Sequence, residues 1–335
     1  MTTRSSIAAL LLLGGASLFA QSKTGTSVGQ FLLIEPSARV AAMGNAGATV
    51  HDEIQAAFYN PAAIGYFLSN GVQFTHSPWI ADITYDFVGL GLTFDDFGNL
   101  YASVASLNSG EIDVRTVEKP LGTGERYTVS DLAIGLGYGR QISDKFSVGV
   151  QVSYFQETIW HTSMSAFALN VGTLYRIADD GLHIGASISN FGTRAKYNGT
   201  DLRVLYDQNS ALYGDNGSLP AELFTDDFPL PILFRVGVGM PFQIDDDNRF
   251  LAALDAFHPS DNTESVSFGG EWSFMNTFAV RAGYQNLWQQ DSELGLTLGA
   301  GLQVEMGTYA MNFDYGWADH GRLEETHRIS LGVRF

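Results

Sequence analysis

Apolar and small residues alternate with a period of two along most of this chain, and this pattern constrains its fold more than any other feature. Between residues 146 and 154 every second residue is Phe, Val or Tyr, while Ser, Gly and Gln stand between them. Residues 294–304 repeat the pattern with Leu, Ala and Val against Gly, Thr and Gln. Successive side chains of a β-strand point to opposite faces, so each such segment predicts a strand with one apolar face.

The second face of these strands indicates their surroundings. It carries Gly, Ser, Thr, Gln and Ala with few charges, and only 16% of all residues are charged, against about 25% in soluble domains. A membrane barrel turns its apolar side chains to lipid and its small or polar side chains to the lumen. Strands of about 9–11 residues also match the length of a tilted membrane crossing. We therefore predict an all-β fold, a transmembrane antiparallel β-barrel.

The connections between the strands support the same fold. We predict about 14 strands, an even number, and the links between them are alternately tight and long. The tight links follow the even-numbered strands, whereas the long ones include residues 108–127, 192–230 and 317–325. Short turns on the periplasmic side and long loops outside are typical of outer-membrane barrels. The parity predicts that the short turns and both termini lie in the periplasm. The predicted strands begin near residues 71, 84, 98, 128, 145, 162, 182, 231, 248, 264, 277, 293, 307 and 326.

The first residues have the features of an export signal. Arg4 precedes an apolar run over residues 7–13, and Ala20 is a suitable small residue before a cleavage site. We predict a cleavable signal peptide over residues 1–20. The absence of cysteine excludes disulfides, thiolate metal sites and a lipoprotein anchor. Export together with the strand pattern predicts a multi-pass barrel in the cell outer membrane, with lipid as its first partner.

Residues 21–70 lack the alternation and precede the predicted barrel, which takes residues 71–335. Ser37 is a suitable N-cap for a short helix, and Asn60-Pro61-Ala62 leads into a second one. Because this segment precedes the first strand on the periplasmic side, we predict a helical hatch that plugs the barrel. The last strand ends on Phe335, which is similar to the signal read by the barrel-insertion machinery.

The sequence predicts neither an enzyme nor a cofactor or metal site. Residues 135–139 are glycine-rich but lie inside an alternating strand, so they favour a lumen surface over a phosphate loop. His161 lies near two serines, yet no hydrolase motif surrounds it. Residues 245–248 could hold calcium through their oxygens, but a tight turn is the favoured interpretation. The net charge of −18 argues against nucleic acid as a partner.

The longest link, residues 192–230, is acidic and ends in Phe-Pro-Leu. Loops of this length are usually functional or disordered. Together with residues 108–127 it is predicted to form the outer-face binding surface, with Tyr197, Tyr206 and Phe224 as candidate contacts. The five tryptophans are predicted to anchor the barrel at the membrane interfaces.

Residues 31–44, which include Arg39, Met43 and Gly44, resemble the PorV/PorQ family of outer-membrane proteins associated with the type IX secretion system. Gly47, Asp52 and Asn60-Pro61-Ala62 continue the resemblance, and the Asn-Pro-Ala step is shared with the hatch of FadL-like barrels. Further matching segments are residues 120–125, 143–149, 189–192, 230–231, 235–237, 256–259, 269–271, 281–284, 314–315 and 321–323. The resemblance implies a 14-stranded FadL-like barrel and a role in protein secretion.

Two functions follow from this resemblance. In the first, the barrel binds or shuttles secreted cargo proteins, as PorV-like proteins do, or anchors the surface attachment complex, as PorQ-like proteins do, and catalyses nothing itself. In the second, it is a FadL-like channel for the uptake of hydrophobic small molecules, with a lipid-like ligand in its lumen. The family implies no cargo-binding residue for this chain, because the matching segments lie in the scaffold.

Overall fold

The computed structural model describes residues 23–178, 180–209, 211, 218–289 and 292–335. The signal peptide predicted over residues 1–20 lies outside the described residues. The strands are β1 Gly71–Pro78, β2 Thr84–Phe94, β3 Gly98–Asp113, β4 Arg126–Ser143, β5 Phe146–Ile159, β6 Thr162–Arg176, β7 His183–Gly192, β8 Asn198–Gly199, β9 Arg203–Tyr206, β10 Leu219–Glu222, β11 Leu233–Gln243, β12 Asn248–Pro259, β13 Ser265–Phe274, β14 Phe278–Leu287, β15 Leu296–Met306, β16 Tyr309–Asp319 and β17 Glu325–Arg334.

Fourteen of these strands, β1–β7 and β11–β17, close into one antiparallel barrel. Each pairs with its neighbour in the chain, β7 pairs with β11, and β1 closes the ring on β17 through a register that includes Gly71 opposite Arg334. The predicted strand number, and strand starts within three residues of those predicted, are confirmed. The short strands β8–β10 belong to the long connection between β7 and β11.

The two faces of the barrel wall are those that the sequence pattern predicts. On β1 the side chains of Gln73, Thr75 and Ser77 are buried in the lumen, whereas Val72 and Phe74 point outward and are 37% and 39% exposed. On β4 the outward row contains Leu132, Ile134, Leu136 and Tyr138. An apolar outer surface of this kind is stable only where lipid covers it.

Within the described residues, no helix is both long and apolar enough to cross a bilayer. The helices are short: the α-helices Ala38–Ala42 and Ala56–Tyr59, and the 3-10 helices Gln30–Leu33, Pro61–Tyr66, Ile80–Asp82, Thr200–Leu202 and Gly321–Leu323.

The hatch, defined here as residues 35–67, packs inside the lumen. Ser37 caps the helix Ala38–Ala42 by accepting a hydrogen bond from the Val40 amide at 3.1 Å, and Asn60 caps the helix Pro61–Tyr66 by accepting one from the Ala62 amide at 3.0 Å. Both caps satisfy amides that a helix start would leave unpaired. The helix Ala38–Ala42 contacts β14–β17, and the helix Pro61–Tyr66 contacts β3–β6, so the hatch reaches opposite sides of the barrel.

The N-terminal strap, residues 23–34, runs along the half of the lumen near the long loops. The Lys23 amide donates to the Asp261 carbonyl at 3.0 Å, and Asp261 lies in the long-loop link between β12 and β13. The expectation that both termini lie at the short-turn rim is therefore wrong for the described N-terminal end, because strap side chains such as Phe31 pack into an apolar compartment of the lumen. At the other end, the Phe335 amide donates to the Asn70 carbonyl at 2.8 Å, at the short-turn rim.

Charge placed on the outward face should destabilise the barrel according to depth. We expect Leu136→Arg, in the middle of the outward row of β4, to lower the free energy of unfolding by about 2–4 kcal/mol. Ile142→Arg, on the same strand near the short turn, is the control and should cost about 0–1 kcal/mol. Urea unfolding in lipid vesicles, followed by tryptophan fluorescence, measures both, and equal losses would contradict the lipid-facing assignment.

Candidate functional site: the lumen hatch and the outer face

Arg39 links the hatch to the barrel wall. Its guanidinium donates to the Glu271 carboxylate on β13 through Nε at 2.8 Å and Nη2 at 2.7 Å, and to Asp52 through Nη1 at 2.7 Å. Glu271 in turn accepts from Arg281 at 2.5 Å, and Arg281 donates to Asp314 at 2.6 Å. Charges of alternating sign thus run from the hatch across β13, β14 and β16, and each guanidinium has two carboxylate partners.

The hatch carboxylates in this network have shifted pKa values. Burial alone would raise the pKa of Asp52, but the Arg39 guanidinium beside it holds the pKa well below its usual range. Burial raises the pKa of Glu53, which accepts hydrogen bonds from the Ser37 hydroxyl at 2.7 Å and from Gln73 at 3.2 Å. Asp52 is therefore an ionic partner, whereas Glu53 serves mainly as a buried hydrogen-bond acceptor.

Met43 and Gly44 bring the hatch backbone against the wall. Met43 is fully buried with Ala46 and Ala253. Gly44 has a φ of +66°, and a Cβ at this position would lie 2.5 Å from the Phe268 carbonyl oxygen and 2.8 Å from the Tyr284 backbone. The Gly44 amide donates to the Thr297 hydroxyl at 3.0 Å.

The opposite side of the hatch contacts the wall through Asn60, Pro61 and Ala62. The Asn60 amide group donates to the carbonyls of Ala48 at 2.8 Å and Thr173 at 3.0 Å. The Ala62 carbonyl accepts from the Ser147 hydroxyl at 2.8 Å. The Asn60 side chain therefore joins two parts of the hatch to the wall strand β6. This explains why position 60 needs an amide side chain, which has both a donor and an acceptor.

Lumen-facing glycines form the surface on which the hatch lies. At nine of them an added Cβ would lie within 2.6 Å of a hatch atom, on strands from β4 to β16. Gly139 in the glycine-rich run of β4 is one, where Ile64 and Gly65 fill the space. The run is thus part of a strand, and its small residues admit the hatch. The nine are Gly139, Gly149, Gly172, Gly185, Gly239, Gly269, Gly283, Gly299 and Gly316.

Two further anchors were not predicted from the sequence. Arg328 on β17 donates to the Glu35 carbonyl at 3.0 Å and to its carboxylate at 2.8 Å. Arg235 on β11 donates to the Tyr59 carbonyl at 2.9 Å. A signal for both was present in the sequence, since each is a charged residue at a lumen-facing position, and Arg235 is the one charged residue of β11.

Below the hatch, a cavity of about 300 Å³ opens toward the short turns. Arg39, Asp52, Glu53, Arg281 and Arg249 are among its lining residues. Within the described residues, no cluster of three or more His, Asp or Glu side chains could hold a metal ion. The turn at residues 245–248 uses its own oxygens, because the Asp245 carboxylate accepts from the amides of Asp247 and Asn248 at 3.0 and 2.8 Å.

The outer face contains a second cavity, the outer pocket, of about 670 Å³. It lies where the rims of β3–β6 meet the long connection, which joins the wall through Thr162 opposite Gly199. Its aromatic and aliphatic lining residues are Val114, Tyr127, Ile159, Trp160, Tyr197 and Leu202. Residues from both predicted outer segments, 108–127 and 192–230, thus contribute to one pocket.

The remaining candidate residues of the outer face lie apart from this pocket. Tyr206 and Phe224 are exposed on or beside the β9–β10 hairpin and do not line the pocket. His161 contacts Asp201 at 3.0 Å through Nδ1, and no hydrogen bond to Ser163 or Ser165 is seen among the described residues.

A closed 14-strand barrel with an apolar outer surface, a filled lumen and long loops at one rim defines the FadL-like class of outer-membrane barrels. The structure is similar to the toluene transporter TodX of Pseudomonas putida, with a TM-score of 0.56 and 13% identity over 90% of this chain and 97% of that one. It is also similar to the toluene transporter TbuX of Ralstonia pickettii, with a TM-score of 0.54 and 12% identity over 91% of this chain and 100% of that one. A Pseudomonas aeruginosa FadL homologue is similar as well, with a TM-score of 0.54 and 12% identity over 90% of this chain and 98% of that one. At these identities the likeness shows the fold alone.

Within this class, the sequence matches the family described as type IX secretion system protein PorV over residues 18–215. This match covers more than half of the chain, which therefore belongs to the PorV family. No curated protein sequence matches it significantly. Fold and family place the protein in the outer membrane, among barrels of secretion and transport.

Gly44→Ala should weaken the contact between the hatch and the barrel wall. We expect it to lower the free energy of unfolding by about 2–4 kcal/mol, because the methyl group meets the β13 and β14 backbones and φ is positive. Gly307→Ala is a matched control, since Gly307 also has a φ of +66° but nothing within 4 Å of an added Cβ. Thermal unfolding in detergent compares the two, and equal shifts would mean that the wall contact contributes nothing.

Removing Arg39 should leave Asp52 and Glu271 short of a counter-charge. Arg39→Met is expected to lower the free energy of unfolding by about 3 kcal/mol, the usual loss when one partner of a buried pair is removed. Arg249→Met is the control, because Arg249 lines the same cavity without an ion pair to any described residue. Urea unfolding at pH 7 measures both variants, and similar losses would refute a specific role for the Arg39 network.

Proposed function

We propose that this protein is a non-enzymatic receptor of a type IX-like secretion apparatus, which binds exported proteins at its outer face. The proposal rests on membership of the PorV family and on one observation, an apolar hairpin that projects from the long-loop rim. Of the two roles known for the wider family, cargo binding is favoured over anchoring the attachment complex, because the match is to PorV.

The hairpin consists of β9 and β10, paired from Leu219 opposite Tyr206 to Glu222 opposite Arg203. Leu205 is 73% exposed, and Phe224, just beyond β10, is 85% exposed. Contiguous exposed apolar side chains at a polar rim are typical of protein interaction sites. Aromatic residues among them are suited to carry most of the binding energy.

The seating of the hatch supports a receptor over an open conduit. Its atoms pack against glycines on nine strands, and its Arg39 and Glu35 form ion pairs with charged side chains of the wall. Moving the hatch would separate these buried ion pairs and leave their charged groups without partners, which is unfavourable in free energy. We infer that residues 35–67 keep the barrel closed while partners bind outside. Phe335, half exposed at the short-turn rim, remains the predicted signal for barrel insertion.

A second candidate function is a channel for hydrophobic small molecules. The observation that favours it is the apolar compartment around Phe31, whose lining includes Tyr85, Phe87, Phe155 and Met164. A ligand of this class would have to replace Phe31, since the ring lies 6.1 Å from that of Phe155 and is buried.

Affinity purification of the tagged protein from native membranes in mild detergent, followed by mass spectrometry, tests the proposal. We expect exported proteins that share a C-terminal domain to be recovered. The double variant Leu205→Ser/Phe224→Ser should lose most of them, by about tenfold, because it removes the exposed apolar contacts.

Leu68→Ser is the control, since Leu68 is 95% exposed at the short-turn side. Equal recovery with the hairpin variant and with Leu68→Ser would reject the hairpin as the binding site. Recovery of the barrel alone, with lipid-like molecules bound, would favour the channel.

A further inference from the structure

The walls of the outer pocket are aromatic. The rings of Tyr127 and Trp160 have centroids 5.9 Å apart, and Trp160 stacks on His161 at 4.9 Å. Tyr197, from the long connection, completes this side of the pocket. Faces of tyrosine and tryptophan attract cations as well as apolar groups.

A pair of buried carboxylates lies behind Tyr197. Asp131 on β4 and Glu157 on β5 are directly opposite each other in the strand register, and each is 8% exposed. Glu157 accepts hydrogen bonds from the Tyr197 hydroxyl at 2.8 Å and from the Gly29 amide at 2.9 Å. Asp131 has no hydrogen bond or ion pair to any described residue, although an isolated buried carboxylate is unfavourable.

Charges around the pocket are mostly negative. Asp113 and Asp201 line it, as does Arg115, and Arg126 pairs with Glu111 and Asp113. Counting these groups with Asp131 and Glu157, five carboxyl groups stand against two guanidinium groups. Low-dielectric walls concentrate such a field and attract a group of opposite charge.

We propose that the outer pocket receives one basic side chain, lysine or arginine, from an extended segment of the bound partner. The aliphatic stem packs between Tyr127, Trp160 and Leu202, and the cationic end lies in the field of Asp131, Glu157 and the rim aspartates. Lysine and arginine suit this arrangement because their stems are apolar and their ends charged. The inference rests on the proposed function, since the side chain belongs to a protein bound at the outer face.

Synthetic peptides test the pocket without the natural partner. The barrel is placed in phosphatidylcholine nanodiscs, and its binding to 12-residue peptides that differ only at the central residue is measured by biolayer interferometry. Peptides with central lysine or arginine should bind about tenfold more tightly than the norleucine peptide, which keeps the stem without the charge. A glutamate peptide should bind more weakly than all three.

Substitutions locate the preference. Asp131→Asn and Trp160→Leu should each bring lysine binding close to that of norleucine, whereas Glu222→Gln, which removes a charge from the same long connection outside the pocket, should leave it unchanged. Asp201→Asn at the rim provides a second variant should Asp131→Asn fail to fold. Heat modifiability on gels reports folding of each variant.

Equal binding of the lysine and norleucine peptides would overturn the inference, as would equal effects of Glu222→Gln and Asp201→Asn. These outcomes are distinct from failure of the proposed function. A barrel that captures exported proteins but shows no basic preference loses only the pocket assignment, whereas one that prefers lysine peptides but captures no partner loses only the secretion role.

Discussion

The pairing of β1 with β17 is the interaction on which the remaining structure depends. In lipid, an unpaired strand edge would leave amides and carbonyls without partners, so the sheet must close. Closure through Gly71 opposite Arg334 and its neighbouring pairs creates a lumen with polar and small walls. A 14-strand lumen is too wide for wall side chains alone to fill, and the hatch and strap supply the missing atoms.

The hatch is held by two kinds of contact that depend on each other. Glycines in the wall let its backbone come close, as at Gly269 against the Met43 carbonyl. Such proximity then places Arg39 within reach of Glu271 and Asp52, and Arg328 within reach of Glu35. These contacts fill the lumen, and the proposed function therefore assigns partner binding to the outer rim. The exposed hairpin and the acidic, aromatic pocket both lie there.

Local signals predicted much of this arrangement, because each depends on a few neighbouring residues. The strand starts, the cap at Ser37, the helix that follows Asn60 and the turn at residues 245–248 were all readable from short patterns. The strap position was not, because no local pattern shows that Lys23 reaches Asp261 across the barrel. The meeting of Asp131 with Glu157 behind Tyr197 likewise depends on register and on the path of a long loop.

The sequence by itself determined the barrel, its strand number, the orientation of its faces and the existence of a plug, since period-two alternation and turn residues act over short distances. Only the tertiary structure decided which wall glycines seat the hatch, which lone charges pair across the lumen and which loop residues form the outer pocket. Those contacts join residues up to 293 positions apart, as in Arg328 and Glu35. Their partners are chosen by the closure and register of the whole ring, which no single segment encodes.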